Sequence, residues 1–144
     1  GGKVVKSKEP EIGMLNVDFT KNKTNDKIFS EFPNNLKALQ WHSYEVIDLE
    51  NNKDVKLIAS SNNTKYQIFK YKNHAYGIQF HIEAKDTTVN DWGCVVEYKS
   101  ALEKQLGVGA LQKFDKEAKL NMPQMNECSQ ILYSNFKKII NNNL

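Results

Sequence analysis

The stretch Tyr76-Gly77-Ile78-Gln79-Phe80-His81-Ile82-Glu83-Ala84 decides how this sequence is read. Gly77 to Phe80 reads as a short buried strand that ends in His-x-Glu. Strand ends in open α/β sheets are where catalytic groups project into a crevice. Side chains two apart on an extended segment point the same way. Glu83 is therefore expected to accept a hydrogen bond from one ring nitrogen of His81. That bond would fix the tautomer and stabilise the imidazolium, leaving the other nitrogen free to act as a base. The arrangement suits activation of a nucleophile. Taken alone, the same residues also read as a half-exposed histidine beside a surface carboxylate.

Upstream of that stretch the chain is strand-rich. Tyr66 to Tyr71 and Ala75 to Phe80 flank Lys72-Asn73-His74, which predicts a β-hairpin with a short loop. Val55 to Ser60 suits a buried strand, and Ala38 to Ile47 is strand-like through Leu39, Trp41, Val46 and Ile47. Ile12, Met14, Val17 and Phe19 alternate in part. The Asn- and Lys-rich residues 21 to 27 predict a solvated loop between them.

Downstream the pattern turns helical. Thr88 followed by Asp91 resembles a capping box with Asp in place of Glu. Trp92, Val95, Val96, Leu102 and Leu106 then predict one apolar face, ended by Gly107 and Gly109. Leu111, Phe114 and Ala118 mark a second, shorter helix. Pro123 suits a first helical position. Met125, Cys128, Leu132, Phe136, Ile139 and Ile140 form a stripe after it. The Asn141-Asn142-Asn143 tail is expected to fray. Strands followed by helices fit an α+β domain or the second half of an α/β sheet, and the pattern leaves both open.

At 144 residues, with 40% hydrophobic and 26% charged residues, the chain has the composition of one soluble domain or part of one. Gly1 to Lys6 lacks the apolar core of a signal peptide, and no apolar run is long enough to span a membrane. A cytoplasmic location is expected. The net charge of +3 comes from scattered lysines, with no arginine for bidentate phosphate or base contacts. A nucleic-acid partner is not expected. Cys94 and Cys128 have no CxxC neighbour, and His42, His74 and His81 lack zinc-motif spacing. No metal and no cofactor are expected.

Gly-Ile-Gln-Phe-His-x-Glu at 77–83 resembles the last signature of class I glutamine amidotransferases, written G-x-Q-F-H-P-E. The resemblance implies that His81 is the general base and acid of a Cys-His-Glu triad and that Glu83 orients it. Ile82 departs from the usual Pro, as in stand-alone, GMP synthase-like members rather than domains of the large synthases. Gln40-Trp41-His42-Ser43-Tyr44 is similar to the family's middle signature. It implies that Ser43 and Tyr44 meet the substrate, largely through backbone groups, while His42 supports the loop. Gly1-Gly2-Lys3-Val4-Val5, Glu11-Ile12-Gly13 and the Gln67 stretch match more weakly, in the family's order.

The resemblance implies an α/β fold: the C-terminal half of a flavodoxin-like amidotransferase sheet, with a β-hairpin and C-terminal helices. Residues 1–144 would be a partial domain, with a strand-rich part at 1–86 carrying the histidine and glutamate and a helical segment at 87–144. The helices beyond Trp92 add little to the match. The family's G-x-C-x-G elbow, which exposes a thiolate beside an oxyanion hole, has no counterpart here. Cys94 and Cys128 both read as packing thiols. The expected partners are L-glutamine or another γ-glutamyl amide, the missing N-terminal half of the domain, and a synthetase that accepts ammonia. Alternatives are a γ-glutamyl hydrolase and a non-catalytic remnant. Half a sheet would expose an edge and apolar helix faces, so poor expression of this fragment alone is expected.

Overall fold

The computed structural model describes residues 1–141. Five strands form one sheet: β1 (Lys3–Phe19), β2 (Asn35–Ile47), β3 (Val55–Ser60), β4 (Ile68–Tyr71) and β5 (Ala75–Ile78). Their order is β2-β1-β3-β4-β5, and every pairing is antiparallel. Three helices follow: α1 (Thr88–Gly93), α2 (Val96–Leu106) and α3 (Ala110–Asn141). The fold is thus mixed α/β, with the hairpin and the C-terminal helices where the sequence indicated them. Among the described residues, no helix is long and apolar enough to cross a membrane.

The sheet is curled. β2 and β5 stand at opposite ends of the strand order, yet the chain leaving β5 returns to β2. The His81 N–H donates to the Leu39 carbonyl at 2.8 Å. One bridge therefore joins the far end of the sheet to its beginning. Gly13, in the middle of β1, has φ 131°, which only glycine adopts without strain. Gly77 on β5 faces Phe69 on β4, and a Cβ there would meet the Phe69 ring at 2.3 Å. The hairpin loop is Lys72–His74, as its spacing predicted.

Ile12, Met14, Leu39, Ile58 and Ile68 from the sheet share one core with Phe114, Ala118, Met125 and Cys128 from α3. Buried positions Ala110, Phe114, Ala118, Met122, Met125 and Cys128 recur every three or four residues, so one face of α3 covers the sheet. That continuous face overrides the predicted break. Pro123 lies inside α3 instead of starting a new helix, and its ring is exposed. A proline in a helix interior costs about 3 kcal/mol, an amount the apolar contacts on either side offset.

Other expectations need correction. The segment Gly77 to Phe80 is not a buried strand: β5 is an edge strand, Ile78 is exposed, and only Phe80 is buried. The predicted single helix from Thr88 to Leu106 is two helices. Its apolar face is mostly exposed at Val95, Val96 and Leu106, with Leu102 fully buried. Thr88 caps nothing through a box with Asp91; its hydroxyl accepts from the Lys85 N–H, and Thr87 holds the N-cap position. The α3 stripe runs on through Leu132 and Ile139, both partly buried against the core, but it includes buried Asn135, which donates to the Ile28 carbonyl, and leaves Phe136 and Ile140 exposed. Asn141 closes α3; Asn142 and Asn143 lie outside the described residues.

The segment 21–27 is solvated only in part: Lys21, Asn22, Thr24, Asn25 and Lys27 are exposed. Lys21–Asn25 is a 3-10 turn, and both Lys23 and Asp26 are buried. Lys23 Nζ donates to the Phe32 carbonyl and to Asn34 Oδ1. Asp26 Oδ1 accepts from the Ile28 and Phe29 N–H groups, and Oδ2 accepts from Lys70 Nζ and Tyr76 Oη. A buried charge survives only when satisfied in this way. Composition cannot show that, because the partners are remote in sequence.

Candidate functional site

A cleft of about 590 Å³ is lined by Ile12, Trp41, Ser43, Tyr44, His81 and Trp92, with His42, Tyr98 and Ala101 completing it. The middle stretch and the final stretch of the sequence are therefore brought together. So are the helices, to which the motifs assign no part in the site: Trp92 comes from α1, and Tyr98 and Ala101 come from α2. The aromatic residues flanking the break between α1 and α2 are the signal in the sequence that points to them.

His81 Nδ1 lies 2.7 Å from Glu83 Oε1. The backbone bends at Ile82, whose side chain is buried in the core. The His81 ring is not turned into the interior, and the acid does not point away from it. Trp92 meets the ring edge-on, with centroids 5.1 Å apart. Trp92 in turn packs against Trp41, which also contacts Phe114 of α3. The aromatic stack limits the positions the imidazole can take. Among the described residues Nε2 has no hydrogen-bond partner. The His81 bond holds the Glu83 carboxyl below its ordinary value, against the upward push of partial burial.

His42 is built differently. Its Nδ1 lies 3.1 Å from the Tyr44 carbonyl, and its Nε2 lies 3.1 Å from Gln40 Oε1 and 3.3 Å from Glu11 Oε2. All three partners are acceptors. Glu11 is buried on β1, directly opposite His42. Ser61 Oγ donates to its Oε1 at 2.7 Å and Gln67 Nε2 to its Oε2 at 2.6 Å. Burial pushes the Glu11 carboxyl up, but the hydrogen bonds from His42 and Ser61 outweigh it and leave the group below its ordinary value. Glu11, Gln40 and Gln67 thus form the buried support of His42. The motifs give no role to the side chains of Gln40 and Gln79, and none beyond a family match to Glu11 and Gln67.

Beside this support β1 bulges. Lys6 pairs with Tyr44 and Glu11 with His42, so five steps along β1 face two steps on β2. Ser43 is left without a partner on β1. Bulges of this kind re-aim strands next to binding sites. On the opposite edge of β2, Gln79 Nε2 donates to the Tyr44 carbonyl at 2.8 Å.

The two cysteines part company. Cys128 is buried, as expected of a packing thiol, and burial pushes its thiol up to about 11. Cys94 is exposed at the end of α1, contrary to the packing role expected of it, because the helix stops there. Neither lines the cleft.

The family described as glutamine amidotransferase class-I matches residues 1–91. One of the subunits of the glutamine-hydrolyzing GMP synthase from Sulfurisphaera tokodaii is 33% identical over 88 residues, which cover 60% of this chain and 44% of the relative. Its counterpart from Ignicoccus hospitalis is 36% identical over 88 residues with the same coverage. The chain therefore spans less than half the length of these curated relatives. Among solved structures, a glutamine amidotransferase from Thermotoga maritima superposes with a TM-score of 0.75 at 26% identity, over 92% of this chain and 54% of that one. A glutamine amidotransferase from Methylobacillus flagellatus, at 19% identity, shares the fold with a TM-score of 0.72 over 96% of this chain and 56% of that one.

Proposed function

The chain belongs to the class I glutamine amidotransferase family, and from that premise we propose that it forms the histidine- and glutamate-bearing part of a glutaminase that releases ammonia from L-glutamine. The observation that carries this is the His81–Glu83 hydrogen bond at the edge of a cleft shared with Ser43 and Tyr44. Residues 1–144 act as one partial domain, since His81 from the strand-rich part and Trp92, Tyr98 and Ala101 from the helical part line the same cleft.

The nucleophile is a cysteine supplied by another stretch of polypeptide. Cys128 is buried with a raised thiol, and Cys94 is away from the cleft. The thiolate attacks the carboxamide carbon of glutamine. As the C–N bond breaks, His81 donates a proton to the leaving nitrogen, and ammonia departs. His81 then takes a proton from water, and the resulting hydroxide attacks the γ-glutamyl thioester. The C–S bond breaks, glutamate leaves and the thiolate is restored. Glu83 holds His81 in the required tautomer and stabilises its cation. Ser43 and Tyr44 bind the substrate, largely through their backbone. The GMP synthase relatives favour a synthetase as the acceptor of the ammonia.

The test is ammonia release from glutamine by the protein expressed from its full reading frame, with His81→Ala beside it. Loss of release in the variant is expected. Equal release from both would end the assignment.

One observation favours a second reading, hydrolysis of γ-glutamyl peptides. A further hollow of about 650 Å³ shares Ile12, Ser43 and Ala101 with the cleft and adds Lys6, Lys8 and Lys104, three cations against the one carboxylate of Glu9. Among the described residues these lysines have no ion-pair partner. A leaving group with its own carboxylate would suit them. Faster turnover of γ-glutamylglycine than of glutamine would select this reading; the reverse order would remove it.

A further inference from the structure

We propose that Gln79 is a positioning residue for the substrate: its side-chain amide holds the Tyr44 carbonyl and so fixes the Ser43–Tyr44 backbone against the cleft. The inference rests on the reading that Ser43 and Tyr44 bind the substrate through that backbone.

The strand ladder does not fix this part of β2 on its own. On the β1 side the bulge between Lys6 and Glu11 leaves Ser43 without a partner. On the other side β2 is the edge of the sheet, met along this stretch, among the described residues, by residues that follow β5. There the His81 N–H takes the Leu39 carbonyl at 2.8 Å, and the Gln79 side chain reaches further along β2 to the Tyr44 carbonyl at 2.8 Å. His42 Nδ1 lies 3.1 Å from the same carbonyl. Two side chains thus converge on the Tyr44 oxygen. Tyr44 keeps Lys6 as its ladder partner, and Ser43 beside it, which has none on β1, is steadied through these contacts at Tyr44.

The two side chains come from separate segments of the chain. His42 is locked from within by Gln40 and Glu11. Gln79 is locked by its own backbone, whose N–H donates to the Gln67 carbonyl at 2.9 Å. Gln67 also donates to Glu11 at 2.6 Å, so both supports end on one buried pair. Gln79 lies two residues before His81, so the segment that presents the imidazole also clamps the substrate backbone. Binding and chemistry are set by one stretch of chain.

Glutamine has the properties this task requires. Glutamate at this position has no N–H to donate and would turn a negative oxygen toward the carbonyl. Asparagine is one methylene too short to reach. Methionine keeps length and bulk but lacks the donor.

The experiment is steady-state glutamine hydrolysis by the full-reading-frame protein carrying Gln79→Met, with Gln79→Asn as a second variant and His81→Ala as the reference. Loss of one neutral hydrogen bond that shapes ground-state binding should raise KM by about five- to tenfold and leave kcat within about twofold. Hydrogen–deuterium exchange of residues 43–45 should rise in the same variant, with residues 36–40 unaltered. A fall in kcat at constant KM would overturn the proposal, because Gln79 would then act through His81. Unchanged KM with unchanged exchange at 43–45 would also overturn it. If wild type and His81→Ala release ammonia equally, the glutaminase reading itself fails, whatever the exchange data show. If wild type is active and the variants match it in KM and exchange, only the role of Gln79 falls.

Discussion

His81 and His42 each face a glutamate, at 2.7 Å and 3.3 Å, yet the two pairs are built to opposite ends. The His81 and Glu83 side chains are 31% and 66% exposed, whereas His42 and Glu11 are 10% and 1% exposed. The open pair shares one side-chain hydrogen bond and leaves Nε2 unengaged among the described residues. The closed pair engages every ring nitrogen and both carboxylate oxygens. A histidine with a nitrogen to spare can move protons. One with none to spare can only hold structure. Shorter distance is not the distinguishing feature; the unused valence is.

The widest separation between the pairs should appear in their alanine variants. His81→Ala is expected to lower kcat for glutamine hydrolysis by about a thousandfold or more while leaving folding stability within about 0.5 kcal/mol. His42→Ala strands the Glu11 carboxylate in the interior and should cost about 3–5 kcal/mol of stability, read by urea unfolding of the full-reading-frame protein. Interchanged results, with the stability loss at residue 81, would break the comparison.

Glu83→Gln comes next. It keeps the shape of the acid but cannot stabilise the imidazolium, and kcat should fall by about ten- to a hundredfold. Because the pair is exposed, coupling between positions 81 and 83 in folding stability should stay below about 1 kcal/mol in a double-mutant cycle. The same cycle on residues 11 and 42 should give about 1–3 kcal/mol. Equal couplings would mean that burial is not what separates the two.

The open pair was legible in the sequence because its partners lie only two residues apart, close enough for the side chains to meet although the backbone bends at Ile82. The hairpin and the strands β2 and β3 were legible for the same short-range reason. The clamp on Tyr44 was not, since Gln79 is 35 residues away and only the curl of the sheet brings it there. Nor was the support of His42, which needs the register of β1 against β2 to set Glu11 opposite it. Pro123 misled because local stiffness is a weak signal against the apolar face that runs from Ala110 to Cys128. Lys23 and Asp26 misled because charge implies exposure only until hydrogen-bond partners arrive from elsewhere in the fold.

The smallest expected difference lies in acid. Glu11 and Glu83 both sit below the ordinary carboxylate value of 4.5. A depressed carboxylate contributes stability that is complete above its unfolded value and is lost as pH falls through the folded value. Neither glutamate should therefore make stability vary between pH 7 and about 5.5. Below that range Glu11 gives up its contribution in a dry site, where the hydrogen bonds from Ser61 and Gln67 lose their ionised acceptor. Glu83 gives up less, because solvent screens its bond to His81. The urea midpoint of Glu11→Gln should thus lie furthest below wild type at neutral pH and approach it as pH falls toward 3. The gap for Glu83→Gln should stay small throughout. A Glu11→Gln gap that stayed constant from pH 7 to pH 3 would show that this carboxyl binds its proton equally well in the folded and unfolded chain. The hydrogen bonds around Glu11 would then give no preference to its ionised form, and its contrast with the open pair would be one of burial alone.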